Sequence, residues 1–431
     1  MKAIVSLVVL CFVLMDPPDA PARVWEVDVN GMPGVDCDCV TIQACIDSAS
    51  AGDTVEVACG TYYEYDIEMK SGINLRSETG LPDCVTIDAA QQGRVVYCAD
   101  VDSTTRIEGF RMTGGLLSGT DSGAGICCEH SSPRIYQCEF SGNSAPGGAG
   151  LSCYDGSAPL LVDAAFTDNA NAGMGCDNSS PTLIRVSFAR NAAGYGGGFA
   201  CWDCTASLTD CAFSSNTSPG GYGGGVYTWD SALTLTRVRF EGNTAPFGGA
   251  LYSEIDSPLE LSHCTFWSNS ATNLGGAMAC VYGGPAIVSN CTFYGNSAGA
   301  WGSVIDCAFD YELTLDNSIL AFNTGCTQAV TCSYRSGVTA SCCNVYGNDG
   351  PDWDDCLQGQ LGIRGNISEC PRFCDAENGD FHLQECSPCA PGNHPTGYPC
   401  GLIGAYEVGC PCGEPSAVEE TSWSSLKAMY R

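Results

Sequence analysis

Aligned on its glycine corners, the sequence sets Tyr154, Trp202 and Trp229 at matching positions of a repeat, with Glu254 next in the series. Asp155, Asn178, Asp203 and Asp230 run beside them. Aromatic rings at regular spacing, flanked by carboxylates, offer a sugar chain faces to stack on and acceptors for its hydroxyls. Tyr154, Trp202, Trp229, Asp203, Asp230 and Glu254 are therefore a candidate sugar platform. The plain alternative is a set of large residues on a sheet face covered by loops.

A second candidate is the acidic loop Asp349, Asp352, Asp354 and Asp355 around Trp353, whose hard oxygen donors suit calcium. It lacks the spacing of a calcium-binding loop, so a solvated acidic turn competes with that reading. Among cations, Arg185, Arg190, Arg237 and Arg239 are the best placed to act on an acidic substrate. Arg237 and Arg239 flank Val238, which should face inward, so both should point outward. His130, His263, His382 and His394 form no Ser-His-Asp pattern, and no catalytic residue is assigned.

Composition narrows the partners. The chain has 49 Asp plus Glu against 17 Lys plus Arg, a net charge of −32, which argues against nucleic acid. Of 31 cysteines, setting aside Cys11 in the apolar leader leaves 30, an even number that suits disulfides in an exported chain. One column holds Cys138, Cys211, Cys264, Cys291 and Cys343; another holds Cys128, Cys153, Cys176, Cys201 and Cys280. Cys128/Cys138 and Cys201/Cys211 are candidate disulfides across a coil. Cys201-Trp202-Asp203-Cys204 is a C-x-x-C, but neither a βαβ context nor a second C-x-x-C with histidines supports redox or zinc chemistry.

All these residues are positioned by one repeat. Phe-x-x-Asn recurs at Phe140/Asn143, Phe166/Asn169, Phe188/Asn191, Phe213/Asn216, Phe240/Asn243, Phe266/Asn269 and Phe293/Asn296, with weaker copies at Leu320/Asn323 and Val345/Asn348. Asn143 to Asn348 spans 205 residues in 8 steps, a mean period of about 25.6. Within each period, segments such as Ala232 to Phe240 alternate apolar and polar, the mark of strands with one buried face. Two or three short strands per period fit one coil of a parallel β-helix, in which only the next coil can satisfy the backbone. The phenylalanines then stack in the lumen, and Asn143, Asn169, Asn191, Asn216, Asn243, Asn269 and Asn296 form a ladder at a turn. These are structural residues.

Residues 1–22 read as a secretory signal peptide, with Lys2, an apolar run Ala3 to Met15 and Ala20-Pro21-Ala22 as cleavage site. The expected location is secreted or at a bacterial cell surface, and no stretch is long enough to span a bilayer as a helix. Residues 23–412 should form the β-helix. Within it, 37–60 is an amino-terminal cap containing a short helix, 85–348 the repeats, and 349–412 Cys-rich closing coils. The tail 413–431 is open to a sorting role or to that of a frayed surface helix.

Gly248-Gly249-Ala250-Leu251 and Gly275-Gly276-Ala277-Met278, alternating with Phe-x-x-Asn, resemble the repeats of chlamydial polymorphic outer-membrane proteins. That resemblance implies a β-helical surface adhesin, although the membrane barrel that ends those proteins has no counterpart here. Thr41 to Ala49, Gly52-Asp53-Thr54 and Gly60-Thr61-Tyr62-Tyr63-Glu64 resemble the entry segment of the pectin-lyase-like superfamily. The superfamily implies a right-handed β-helix; its enzymes cut acidic polysaccharides, but their Asn-Thr-Asp, Asp-Asp, Gly-His-Gly and Arg-x-Lys marks are absent.

The expectation taken forward is all-β: a right-handed parallel β-helix of about a dozen coils with a short capping helix and a Cys-rich carboxyl cap. Its expected role is that of a non-enzymatic, monomeric surface protein, adhesin-like or polysaccharide-binding, with no cofactor unless calcium. Two alternatives stay open, a polysaccharide lyase or glycoside hydrolase acting on acidic polysaccharide, and a structural spacer.

Overall fold

A computed structural model describes residues 22–34, 37–299, 303–325 and 328–413. The expected leader and carboxyl tail fall almost wholly outside the described residues. Each coil is built from short strands separated by corners, and equivalent strands of successive coils pair in parallel. Sheet 1 has 13 strands, from Val24–Val27 to Gly337–Ser341; sheet 2 has 11, from Ile67–Glu68 to Gln328–Ser333; sheet 3 has 12, from Gly60–Tyr62 to Asn344–Tyr346. Thirteen strands in the longest sheet put the coil count slightly above the dozen expected. Parallel neighbours need long connections, and here the rest of each coil is the connection.

The repeat residues hold the coils in register. Phe140, Phe166, Phe188, Phe213, Phe240, Phe266 and Phe293 are fully buried and stack with ring centroids 4.6–5.0 Å apart. Burying seven such rings is a large apolar contribution, of roughly 1.5–3 kcal/mol each before conformational entropy is charged. At the next turn the Asn191 amide nitrogen donates to Asn216 Oδ1 at 3.0 Å and to the Phe166 carbonyl at 2.9 Å. Equivalent bonds link the asparagines from Asn143 to Asn348, and the last amide donates to Asp352 at 2.8 Å. A buried amide without such a partner would be costly, so each coil depends on the next.

The amino end is closed by the helix Ile42–Ser48, which buries Ile42, Cys45 and Ile46. Glu64 accepts its first backbone N–H groups, from Ile42 at 2.8 Å and Gln43 at 3.2 Å. At the other end, the turn Asp355–Leu357 buries Leu357 against the last coil. The winding continues as far as Ile367, which pairs in parallel with Asn344. There the Cys-rich chain leaves the stack. It doubles back along the outer face of sheet 3, where Phe373 and Phe381 pack against Tyr294 and Phe381 against Trp267. Asn290 donates to the Leu402 carbonyl at 2.8 Å, and Ala405 N–H to Thr292 Oγ1 at 3.0 Å.

Disulfides occupy the two ends: Cys39–Cys45, Cys59–Cys84, Cys332–Cys356, Cys342–Cys400, Cys374–Cys410 and Cys386–Cys412. The expected pairs Cys128/Cys138 and Cys201/Cys211 are not bonded to each other, and all four cysteines are buried. The reason is topological. Cys128 and Cys201 belong to a lumenal file of sheet 2, whereas Cys138 and Cys211 lie at the corner that leads into sheet 3.

Candidate functional site

Two outward files of sheet 2 form the floor of a cleft. One runs Tyr227, Tyr252, Ala279, Asp306 and Thr331; the other runs Trp202, Trp229, Glu254, Val281, Ala308 and Ser333. Trp202, Trp229 and Glu254 thus share one file, as their spacing indicated, and Tyr154 stands further along it, next to Glu129. One wall comes from the loops before the glycine corners: Tyr195, Tyr222 and Phe247 stack at 5.8 and 5.3 Å, with Leu274 paired beside Phe247.

The opposite wall stands where the chain turns from sheet 2 to sheet 1. In the earlier coils that corner is left-handed and held by Asp155, Asn178, Asp203 and Asp230, with φ of 56°, 44°, 52° and 45°. Short polar side chains tolerate this conformation, so Asp203 and Asp230 have a backbone reason to be there. In the last coils the same corner carries Tyr282, Phe309 and Tyr334, at φ of 63°, 60° and 49°. Bulky residues rarely adopt positive φ, and such strain concentrates at functional sites. The three rings stack at 4.7 and 4.3 Å. Tyr282 and Tyr334 remain 49% and 68% exposed, so burial does not repay the strained corner.

Between the walls lies a cavity of about 300 Å³, bounded by Tyr222, Tyr252, Tyr282, Asp306, Phe309 and Tyr334 among others. One carboxyl lines it, Asp306, and Glu254 lies on the adjoining file outside the cavity lining; both are shielded. Burial raises the Glu254 pKa while Tyr227 donates to it at 3.0 Å, and burial likewise raises that of Asp306, which accepts from Thr331 at 2.6 Å. Among the described residues, no Lys, Arg or His lines this cavity. A recess of about 380 Å³ at the amino end, lined by Glu26, Asp28, Cys37, Glu56 and Glu78, has acids but no ring to stack on.

The other sequence candidates are engaged elsewhere. Arg185 pairs with Asp163, Arg190 with Asp168, Arg237 with Asp210 and Arg239 with Glu241, at 2.6–3.1 Å. Asp349 accepts from Gly325 N–H, Asp352 from Gly347 and Asn348 N–H, and Asp355 from Cys332 N–H. These acids cap individual amides, and no three donors of this loop, Asp354 included, converge. Glu129, His130 and Asp155 do bring donor atoms within 4.8 Å of one another, but Glu129 already accepts from the Tyr97 hydroxyl.

Sequence reasoning missed Tyr222, Phe247, Tyr252, Tyr282, Asp306, Phe309 and Tyr334. A signal for the walls was present: an aromatic directly before a glycine corner at Tyr195, Tyr222 and Phe247, and Tyr282, Phe309 and Tyr334 at coil-length intervals.

Comparison with known proteins agrees with this architecture. Residues 71–245 match the right handed beta helix region family model, and residues 237–254 match the Chlamydia polymorphic membrane protein repeat. Pectate lyase Pel9A superposes with a TM-score of 0.50 at 12% identity, over 90% of this chain and 97% of that one. The fold is a right-handed parallel β-helix, shared with that pectate lyase. A variant of the PL6 family alginate lyase AlyGC is also similar, with a TM-score of 0.48 at 12% identity, over 87% of this chain and 59% of that one. PfbA, a surface adhesin of Streptococcus pneumoniae, gives 0.35 at 11% identity, over 72% and 86%. No curated protein matches the sequence. Among the described residues, no helix of this β-helix is long and apolar enough to cross a membrane.

Proposed function

We propose that this β-helix is a non-enzymatic extracellular protein that binds a polysaccharide along the aromatic cleft of sheet 2. The supporting observation is the uncovered, stacked wall Tyr282–Phe309–Tyr334, held in a conformation that bulky residues normally avoid. A stack of rings running from coil to coil offers its edges and its outer face to the apolar surfaces of sugars, and the shielded Glu254 and Asp306 suit their hydroxyls. The ligand is a neutral glycan. A cleft floored by Glu254 and Asp306, with no Lys, Arg or His lining its cavity among the described residues, in a chain of net charge −32, repels polyuronates.

The test is binding of the secreted protein to neutral and uronic polysaccharides, each with calcium and with a chelator. Retention on a neutral polymer, lost in Tyr282→Ala/Tyr334→Ala, is the expected result. Retention only on polyuronates in calcium would sink the neutral-ligand reading. The two shielded carboxyls also favour one runner-up, a glycoside hydrolase with a raised-pKa acid. Release of sugar ends that disappears in Asp306→Asn or Glu254→Gln would establish that reading instead.

A further inference from the structure

The lumen of sheet 2 contains a file of sulfur. Cys98, Cys128, Cys153, Cys176 and Cys201 are register partners on five successive coils, after which Thr228 and Ser253 take the position. Cys280, Cys307 and Cys332 then resume it, with Cys280 hydrogen-bonded to Tyr311 and Cys332 disulfide-bonded to Cys356. The first five are all buried, as is Cys204, one corner beyond Cys201. The Sγ atoms of Cys153 and Cys176 are 2.9 Å apart, closer than two sulfurs approach without sharing a proton or a bond. Cys98 and Cys128 face one another as register partners and interact, and Cys204 interacts with both Cys176 and Cys201.

At the corner before sheet 3 the equivalent position reads Cys138, Ala164, Val186, Cys211, Val238, Cys264, Cys291, Ser318 and Cys343. Only Cys264 and Cys291 are neighbours there, and they are in contact. Cys138, Cys211 and Cys343 have no cysteine on the adjoining coils of this file; donation to the carbonyl two residues earlier, at 3.3–3.5 Å, is common to all five of its cysteines.

We infer that the mature protein carries four lumenal disulfides, Cys98–Cys128, Cys153–Cys176, Cys201–Cys204 and Cys264–Cys291, three of which bolt one coil to the next. Cys138, Cys211 and Cys343 remain thiols. Parallel register partners meet the Cα separation a disulfide needs, as Cys59–Cys84 on adjoining coils already shows at 4.7 Å. Each bond forms as two thiols give two protons and two electrons to a protein disulfide of the exporting compartment, which becomes a dithiol. The exchange proceeds through a mixed disulfide. Because these sulfurs are sealed in the lumen, oxidation precedes stacking of the coils concerned. Hydrogen bonds from Cys176 and then Cys201 lower the Cys204 pKa, which favours the thiolate that starts such an exchange.

The test is a disulfide map of the exported protein, denatured without reductant, alkylated and cleaved with pepsin at low pH to prevent reshuffling. Only molecules with an intact Cys374–Cys410 bridge are scored, so exposure to an oxidising compartment is assured. The expected map has the four bridged peptides, each pair two hydrogens lighter than its reduced form, and alkylated Cys138, Cys211 and Cys343. Alkylation of Cys153 and Cys176 in these molecules, or a bridge from Cys128 to Cys138, would overturn the inference. A native-state reductant challenge gives a second reading: the exposed Cys386–Cys412 bridge should open while the lumenal four persist. Loss of the lumenal bridges at the same rate would also count against it.

Discussion

Two outer faces of this solenoid carry aromatic residues in its carboxyl-terminal coils, and they meet different fates. On sheet 3, Trp267, Tyr294 and Phe322 are covered by the returning chain, which inserts Phe373 and Phe381 among them. On sheet 2, Tyr282, Phe309 and Tyr334 stack on one another and face solvent. The covered face has its occupant in the same polypeptide, and its contacts are mostly edge-on and tightly packed. The open face is a set of parallel rings beside a cavity. The difference separates aromatic residues used for cohesion from those available to a ligand, which composition cannot do.

The largest effect should come from breaking the covered face. Phe381→Ala removes a side chain that is 1% exposed and should cost about 3–5 kcal/mol in urea unfolding, with glycan retention unchanged in the folded protein. If retention fell as steeply as stability, the two faces would not be independent. On the open face the pattern should invert. Tyr282→Ala/Tyr334→Ala should weaken polysaccharide retention about tenfold or more, yet leave the urea midpoint near wild type, because little buried area is lost.

Acidity should sharpen the contrast further. The folded-state pKa of Asp306 is raised by burial, so folding favours its protonated form. Its penalty is absent below the unfolded carboxyl pKa and grows as pH rises through the folded value. Melting temperature measured from pH 4 to 7 should therefore fall less in Asp306→Asn than in wild type; an identical profile would show that the carboxyl is solvated. The smallest effect belongs to Trp229→Ala, next to Trp202 at the amino end of the cleft floor, where a residue 38% exposed should change retention about two- to threefold.

The repeat made the fold legible. Phe-x-x-Asn at a constant period can be satisfied only if each phenylalanine and each asparagine meets its copy, and the observed ring stack and amide ladder do this. The shared file of the cleft floor was legible in part. Trp202, Trp229 and Glu254 share a file because register copies the repeat, but Asp203 and Asp230 owe their identity to a left-handed corner. The walls were missed because Tyr222 and Tyr282 lie 60 residues apart in sequence and border one cavity only after the coils stack. The disulfides were misassigned for a related reason: cysteines ten residues apart within a coil belong to separate files, while those of one file are a whole coil apart.

The sequence by itself determined the coil, its register and its lumen, because periodic residues at fixed spacing have one way to bury their rings and pair their amides. Only the tertiary structure decided which aromatic face is covered and which is open. That choice depends on where a non-repetitive carboxyl segment docks, and no period encodes it.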